Sequence, residues 1–87
     1  MNAAHKNKSK ILKALGHPIR FCIVEGLCGG EHNVAAMVAC TSVPQPTVSQ
    51  HLNILKAAGI IKAERAGNQM LYSVCSPEAR QIVRALQ

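Results

Sequence analysis

The segment Pro44-Gln45-Pro46-Thr47-Val48-Ser49-Gln50-His51-Leu52-Asn53-Ile54-Leu55-Lys56-Ala57-Ala58-Gly59 carries the clearest periodicity in the chain. Val48, Leu52 and Leu55 recur at the i, i+4, i+7 spacing of one buried helix face. At about 100° per residue, Ser49, Gln50, Asn53 and Lys56 fall on the opposite side. The spacing predicts a helix from about Gln45 to Ala58, preceded by the tight break Thr41-Ser42-Val43-Pro44 and closed by Gly59.

Upstream of the break, Asn33 is placed to cap a short helix whose Val34, Met37 and Val38 turn inward. Before it, Pro18 suits the first position of a helix, where its missing N–H costs nothing. Ile19, Cys22, Ile23, Val24 and Leu27 form that helix's buried side, and Gly29-Gly30 stops it. A first helix is predicted from Lys8 to Leu15, with Ile11, Leu12 and Leu15 as its stripe and Gly16 as its end. Downstream of Gly59 the period changes to two. Ile60 to Arg65 and Gln69 to Cys75 alternate, with Met70, Tyr72 and Val74 on one face and Ala66-Gly67-Asn68 as the turn between them. Pro77 starts a last helix whose apolar stripe is Ala79, Ile82, Val83 and Leu86. A short helix, a break, an amphipathic helix and a two-stranded ribbon match a winged helix-turn-helix. The expected fold is mainly α with a small β-hairpin, in the order ααα-α-ββ-α.

At 87 residues the chain suffices for one domain and not for two, so residues 1–87 are read as a single domain. A chain this small buries only about 60–70% of its unfolded surface, and dimerisation is a common remedy. Apolar residues make up 48% and aromatics 2%, Phe21 and Tyr72 alone. The core is therefore aliphatic and Ala-rich, which favours packed helices. Ten Lys and Arg against four Asp and Glu give a net charge of +6, which argues for a polyanionic partner. No apolar run approaches the ~18 residues needed to span a bilayer. The polar, basic start Met1-Asn2-Ala3-Ala4-His5-Lys6 has no apolar signal region. A cytoplasmic protein is expected, with no membrane partner.

The predicted fourth helix offers short neutral groups at Ser49, Gln50 and Asn53. Gln and Asn can pair bidentately with adenine, and Ser or Thr can bond several bases. Gln45 and Thr47 lie in the first turn, where free helix N–H groups favour phosphate. No acidic residue stands between Gln45 and Gly59 to repel a phosphate backbone. The bland alternative is the solvated face of a bundle helix. His51 is either a packed histidine or a phosphate contact. At the hairpin, Arg65, Gly67, Asn68 and Gln69 make a positive tip suited to phosphates or a minor groove. The lysines of the first helix add long-range attraction.

The sequence resembles the ArsR/SmtB family of winged-helix repressors. The resemblance is carried by Leu12-Lys13-Ala14-Leu15-Gly16-His17-Pro18-Ile19-Arg20, by Pro44 to Leu52 and by Leu55-Lys56-Ala57-Ala58-Gly59-Ile60-Ile61, with Arg65 to Tyr72 similar to the family's wing. It spans nearly the whole chain, and Ser49-Gln50-His51-Leu52 is its most specific part. The resemblance implies a homodimer paired through its first and last helices. It also implies binding of a palindromic operator in double-stranded DNA, repression of adjacent genes and release by an effector. Carried over, Thr47, Ser49, Gln50 and His51 would contact DNA, and Arg65 to Asn68 would form the wing.

The effector does not carry over. Where arsenic and cadmium sensors of this family place a Cys-x-Cys pair, this chain has Asn33 and Ala35. Where zinc and nickel sensors use Asp, His and Glu on the last helix, Pro77-Glu78-Ala79-Arg80-Gln81-Ile82 supplies one carboxylate and no histidine. His32 is a stray candidate ligand, against the plainer reading of a surface histidine. Cys22, Cys28, Cys40 and Cys75 are widely spaced, without C-x-x-C or zinc spacing. Reduced thiols are expected, mostly as small buried residues, with Cys28 more exposed and Cys40 buried. Redox sensors of similar build use two distant thiols, and Cys22 with Cys75 is a candidate pair for a thiol-directed signal: an oxidant, a reactive sulfur species or a soft metal. A module binding protein instead of DNA is the alternative reading. An enzyme is not expected, for want of paired carboxylates, a phosphate loop or a nucleophile with a base at motif spacing.

Overall fold

The computed structural model describes residues 2–87. Its elements run α1 (Ala3–Leu15), α2 (Pro18–Cys28), α3 (Val34–Thr41), α4 (Gln45–Ala57), β1 (Ile61–Ala66), β2 (Gln69–Val74) and α5 (Pro77–Ala85). This is the expected winged helix-turn-helix order. No helix among the described residues is long and apolar enough to cross a membrane.

The core is a single aliphatic cluster. Val24, Val48, Leu55, Ile60 and Ala79 are fully buried, joined by Leu27, Leu52 and Val83. The predicted stripe of α4 is therefore its core face, and its predicted polar side is left outside. Side chains start most helices. His17 Nδ1 accepts from the Ile19 N–H, Asn33 from Ala36 and the buried Ser76 from Ala79. Each satisfies an otherwise orphaned donor.

Three expectations change. Helix α1 begins five residues earlier than Lys8, because Asn2 caps it by accepting from the His5 N–H at 3.0 Å. Its first turns hold no apolar stripe, so periodicity could not reveal them; Ala and Lys propensity suffices. Leu12 and Leu86, assigned to inward stripes, are instead 56% and 69% exposed, while Ile11 and Ile82 are half-buried. The cluster is too small to cover every apolar position on its outermost helices. The first strand is Ile61–Ala66 rather than Ile60–Arg65, since the Ile60 N–H is taken by the Leu55 carbonyl at the close of α4 and Ala66 joins the ladder instead of the turn. The second starts at Gln69 as expected and ends at Val74 rather than Cys75.

The wing is a two-residue hairpin in which Ala66 pairs with Gln69 and Ile61 with Val74. Gly67 takes a positive φ of 66° at the first central position and Asn68 does not, the pattern of a II′ hairpin turn. The ribbon is tied to the entrance of α3. His32 and Tyr72 exchange backbone hydrogen bonds at 3.1 and 2.8 Å, and Asn33 Nδ2 donates to Gln69 Oε1 at 2.8 Å. Asn33 thus caps α3 and holds the wing at once.

The joint between α4 and the wing is a Schellman motif. The Ile60 N–H donates to the Leu55 carbonyl and the Gly59 N–H to the Lys56 carbonyl, both at 3.0 Å, with Gly59 left-handed at φ 75°. A Cβ on Gly59 would meet no neighbour within 4 Å, so the cost of replacing it is purely conformational. Gly59→Ala should lower stability by roughly 1–2 kcal/mol, and Gly59→Asn by less. Urea unfolding measures both, and a neutral Gly59→Ala would contradict this description of the joint.

Candidate nucleic-acid interface

Helix α4 presents Gln45, Gln50 and Asn53 to solvent, with Thr47, Ser49 and His51 half-buried along its flank. The Thr47 and Val48 N–H groups return to the Pro44 carbonyl, and no side chain caps the helix start. The outward face is thus short, polar and free of acidic groups, as the sequence indicated. Ile54 is a departure, being apolar and 44% exposed on this helix.

His51 has a defined environment. Its ring lies 4.6 Å from that of His17, and Arg20 Nη1 donates to its Nδ1 at 3.4 Å. The same guanidinium donates from Nε to the Ala14 carbonyl at 2.6 Å. Arg20, on α2, therefore ties the end of α1 to α4. Because Arg has no acceptor atoms, His51 Nδ1 must accept, which leaves the proton on Nε2. The ring is packed against His17 and Arg20, the first of its two readings. Burial, then the neighbouring His17 and Arg20, hold its pKa below the ordinary 6.5. The roles of Arg20 and His17 were not legible in sequence. His17 precedes Pro18 as a cap would, but nothing in the spacing indicates its contact with α4.

At the wing, Arg65 and Asn68 are exposed at the tip, beside Gly67 and Gln69. Lys62 and Glu64 pair with each other at 2.9 Å along β1, so the one acidic residue of the strand is matched by its own neighbour. Such an exposed pair contributes little stability, but it leaves the Arg65 charge uncompensated by Glu64.

The thiols differ from expectation. Cys40 is exposed rather than buried, because α3 turns Met37 into the core with Val34 and Val38 beside it, which leaves Cys40 off that face. Cys28 is half-buried and packs against the core rather than projecting beside Gly29-Gly30. Cys75 is exposed, its Sγ 3.5 Å from the Gly59 carbonyl. Cys22 is half-buried and lines one cavity with Cys40, so the thiol beside it is Cys40 rather than Cys75. Among the described residues, no three His, Cys, Asp or Glu side chains gather as a metal site. His32 is exposed and engaged through its backbone with the wing.

A family model described as "Bacterial regulatory protein, arsR family" matches residues 17–63. The chain is 43% identical over 74 residues to the HTH-type transcriptional repressor SmtB of Mycobacterium tuberculosis, covering 85% of this chain and 55% of that protein. It thus spans about half the length of that relative. Among solved structures, the transcriptional repressor BigR from Xylella fastidiosa is similar with a TM-score of 0.85 at 33% identity, over 99% of this chain and 93% of that one. Mb0332 from Mycobacterium bovis, described as a homodimeric winged helix-turn-helix DNA-binding domain, has a TM-score of 0.88 at 27% identity, over 98% of this chain and 79% of that one.

The His51 environment has a pH consequence. With the folded pKa below the unfolded value, the unfolded chain binds more protons in the interval between them, so stability rises with pH there. Stability should fall as pH drops below 6.5, through the folded pKa. Thermal melts across this range should show a shallower decline for His51→Gln than for the wild type. Parallel declines would remove His51 as the source.

Proposed function

We propose that this chain, which belongs to the arsR family of bacterial regulatory proteins, acts as a homodimeric transcriptional repressor on a palindromic DNA operator. The observation that carries this reading is α4: a helix whose Val48, Leu52 and Leu55 are buried in the core and whose outward side offers Gln45, Gln50 and Asn53 without one acidic residue. Thirteen residues at about 1.5 Å rise give a rod of about 20 Å, a size that a major groove accepts. Arg20 braces this rod through His51, so base-reading side chains are presented from a fixed helix rather than a loop.

In this reading Gln50 and Asn53 address base edges, with Ser49 on the helix flank. Thr47, Gln45 and the His51 Nε2–H serve the phosphates beside them. The wing brings Arg65 and Asn68 to the flanking backbone. The net charge of +6 supplies the sequence-independent attraction. Exposed Leu12 and Leu86, with half-buried Ile11 and Ile82, give α1 and α5 an apolar surface suited to a second copy. The homodimeric relative from Mycobacterium bovis supports that pairing. The two α4 helices would then lie about 34–36 Å apart, one turn of duplex. A thiol-directed signal is the effector chemistry the chain's own residues favour, since Cys40 and Cys75 are solvent-accessible.

Selection from a randomised duplex pool should enrich a site with two half-sites one helical turn apart, and failure to enrich any such site would overturn the reading. On that site, Gln50→Ala should cost roughly 1–3 kcal/mol and relax preference at one base position. Equal loss on all sequences would show that Gln50 reads no base. Arg65→Ala should weaken binding on all sequences and make the salt slope shallower by about 1. An unchanged slope would take Arg65 off the phosphates.

A further inference from the structure

Cys22, midway along α2, and Cys40, in the last turn of α3, line one cavity of about 130 Å³. Ile23, Leu27 and Met37 form its apolar floor. Cys22 is half-buried inside the cavity and Cys40 is open to solvent at its rim, so the two thiols face one space. Neither thiol has a structural task that would explain this placement, since neither belongs to the fully buried core.

We propose that Cys22 and Cys40 are a dithiol site that a small hydroperoxide oxidises to a disulfide, clamping α3 to α2. The accessible Cys40 thiolate attacks the peroxide. The O–O bond breaks, Cys40 becomes a sulfenic acid, and the leaving alkoxide or hydroxide takes up the proton that Cys40 released. The Cys22 sulfur then displaces hydroxide from Cys40, the S–S bond forms, and the Cys22 proton leaves with that hydroxide as water. Two thiols and one hydroperoxide thus give one disulfide, one alcohol or water from the peroxide, and one further water. The two electrons pass from sulfur to the peroxide oxygens. Burial, and Cys40 beside it, push the Cys22 thiol up, which leaves the first attack to the solvent-open Cys40.

The two sulfurs, facing one cavity, must close to about 2.05 Å to bond. The movement draws the end of α3 toward α2, into the cavity between them. Only Ser42, Val43 and Pro44 separate α3 from α4, and Ser42 is held left-handed at φ 62°. A shift of the end of α3 therefore reaches the start of α4. This regulatory consequence rests on the proposed reading of α4 as the DNA-reading helix; the dithiol chemistry does not.

The test oxidises the full chain with hydrogen peroxide and maps its peptides, using wild type, Cys22→Ser, Cys40→Ser and the doubly substituted Cys28→Ser/Cys75→Ser. A Cys22–Cys40 linked peptide is expected in wild type and in the double variant, reversed by dithiothreitol and absent from both single variants. Oxidation of the double variant should weaken binding to the selected duplex at least tenfold, with recovery on reduction. A bridge between another pair of cysteines, or oxidation of each thiol singly, overturns the site. A full bridge with unchanged DNA affinity overturns its regulatory role. A bridge that forms in a protein that binds no DNA in either state would sustain the dithiol site and sink the repressor reading. DNA binding by a reduced protein that never forms the bridge would do the reverse.

Discussion

One guanidinium fixes how the helices meet. Arg20 donates to the Ala14 carbonyl, where α1 is ending, and to His51 on the flank of α4. The carbonyls of a helix's last turn lack partners within the helix, so a donor supplied from α2 both terminates α1 and locates it. The second donor fixes the rotation of α4 about its own axis. Core packing alone constrains that rotation weakly, because Val48, Leu52 and Leu55 are aliphatic groups that tolerate some turning against Val24 and Leu27. A directional hydrogen bond does not. The rotation in turn decides whether Gln50 and Asn53 face outward together, so the polar link underlies any role for that face.

The same link explains why part of the interface was legible in sequence and part was not. The stripe of α4 and its polar opposite side follow from spacing alone, and the structure places Gln45, Gln50 and Asn53 outside. The turn at Gly67 and the caps Asn33 and Ser76 follow from local backbone chemistry, which also leaves a mark in sequence. Contacts between residues far apart in the chain leave none. Arg20 with His51, Asn33 with Gln69, and the cavity shared by Cys22 and Cys40 depend on the final crossing of helices and wing. The early start of α1 leaves no hydrophobic period for another reason: its first turns are held by a cap and by propensity.

Exposed Leu12 and Leu86 belong to the economics of a small aliphatic core. With only Phe21 and Tyr72 as aromatics, each buried residue removes a modest area from water, and the outer faces of α1 and α5 are left uncovered. A second copy joined there would extend one core across two chains. Pairing would also set the separation of two α4 helices, which a single copy has no means to fix. Stability and the geometry of DNA reading would then come from one contact.

The position of the thiol pair gives these elements a common logic. Helix α2 carries Arg20, which braces α4 through His51, and Cys22, which shares a cavity with Cys40 at the end of α3. The two contacts bear on either side of the turn in the same helix-turn-helix unit. Arg20 grips α4 beyond its first turn, while Cys40 sits just before the break that leads into it. A displacement at Cys40 with Arg20 holding fast cannot translate α4 freely, so it must tilt the helix start, where Gln45 and Thr47 lie. Those residues form the end of α4 nearest a phosphate backbone in the proposed pose, and a tilt there separates them from it without unfolding any element.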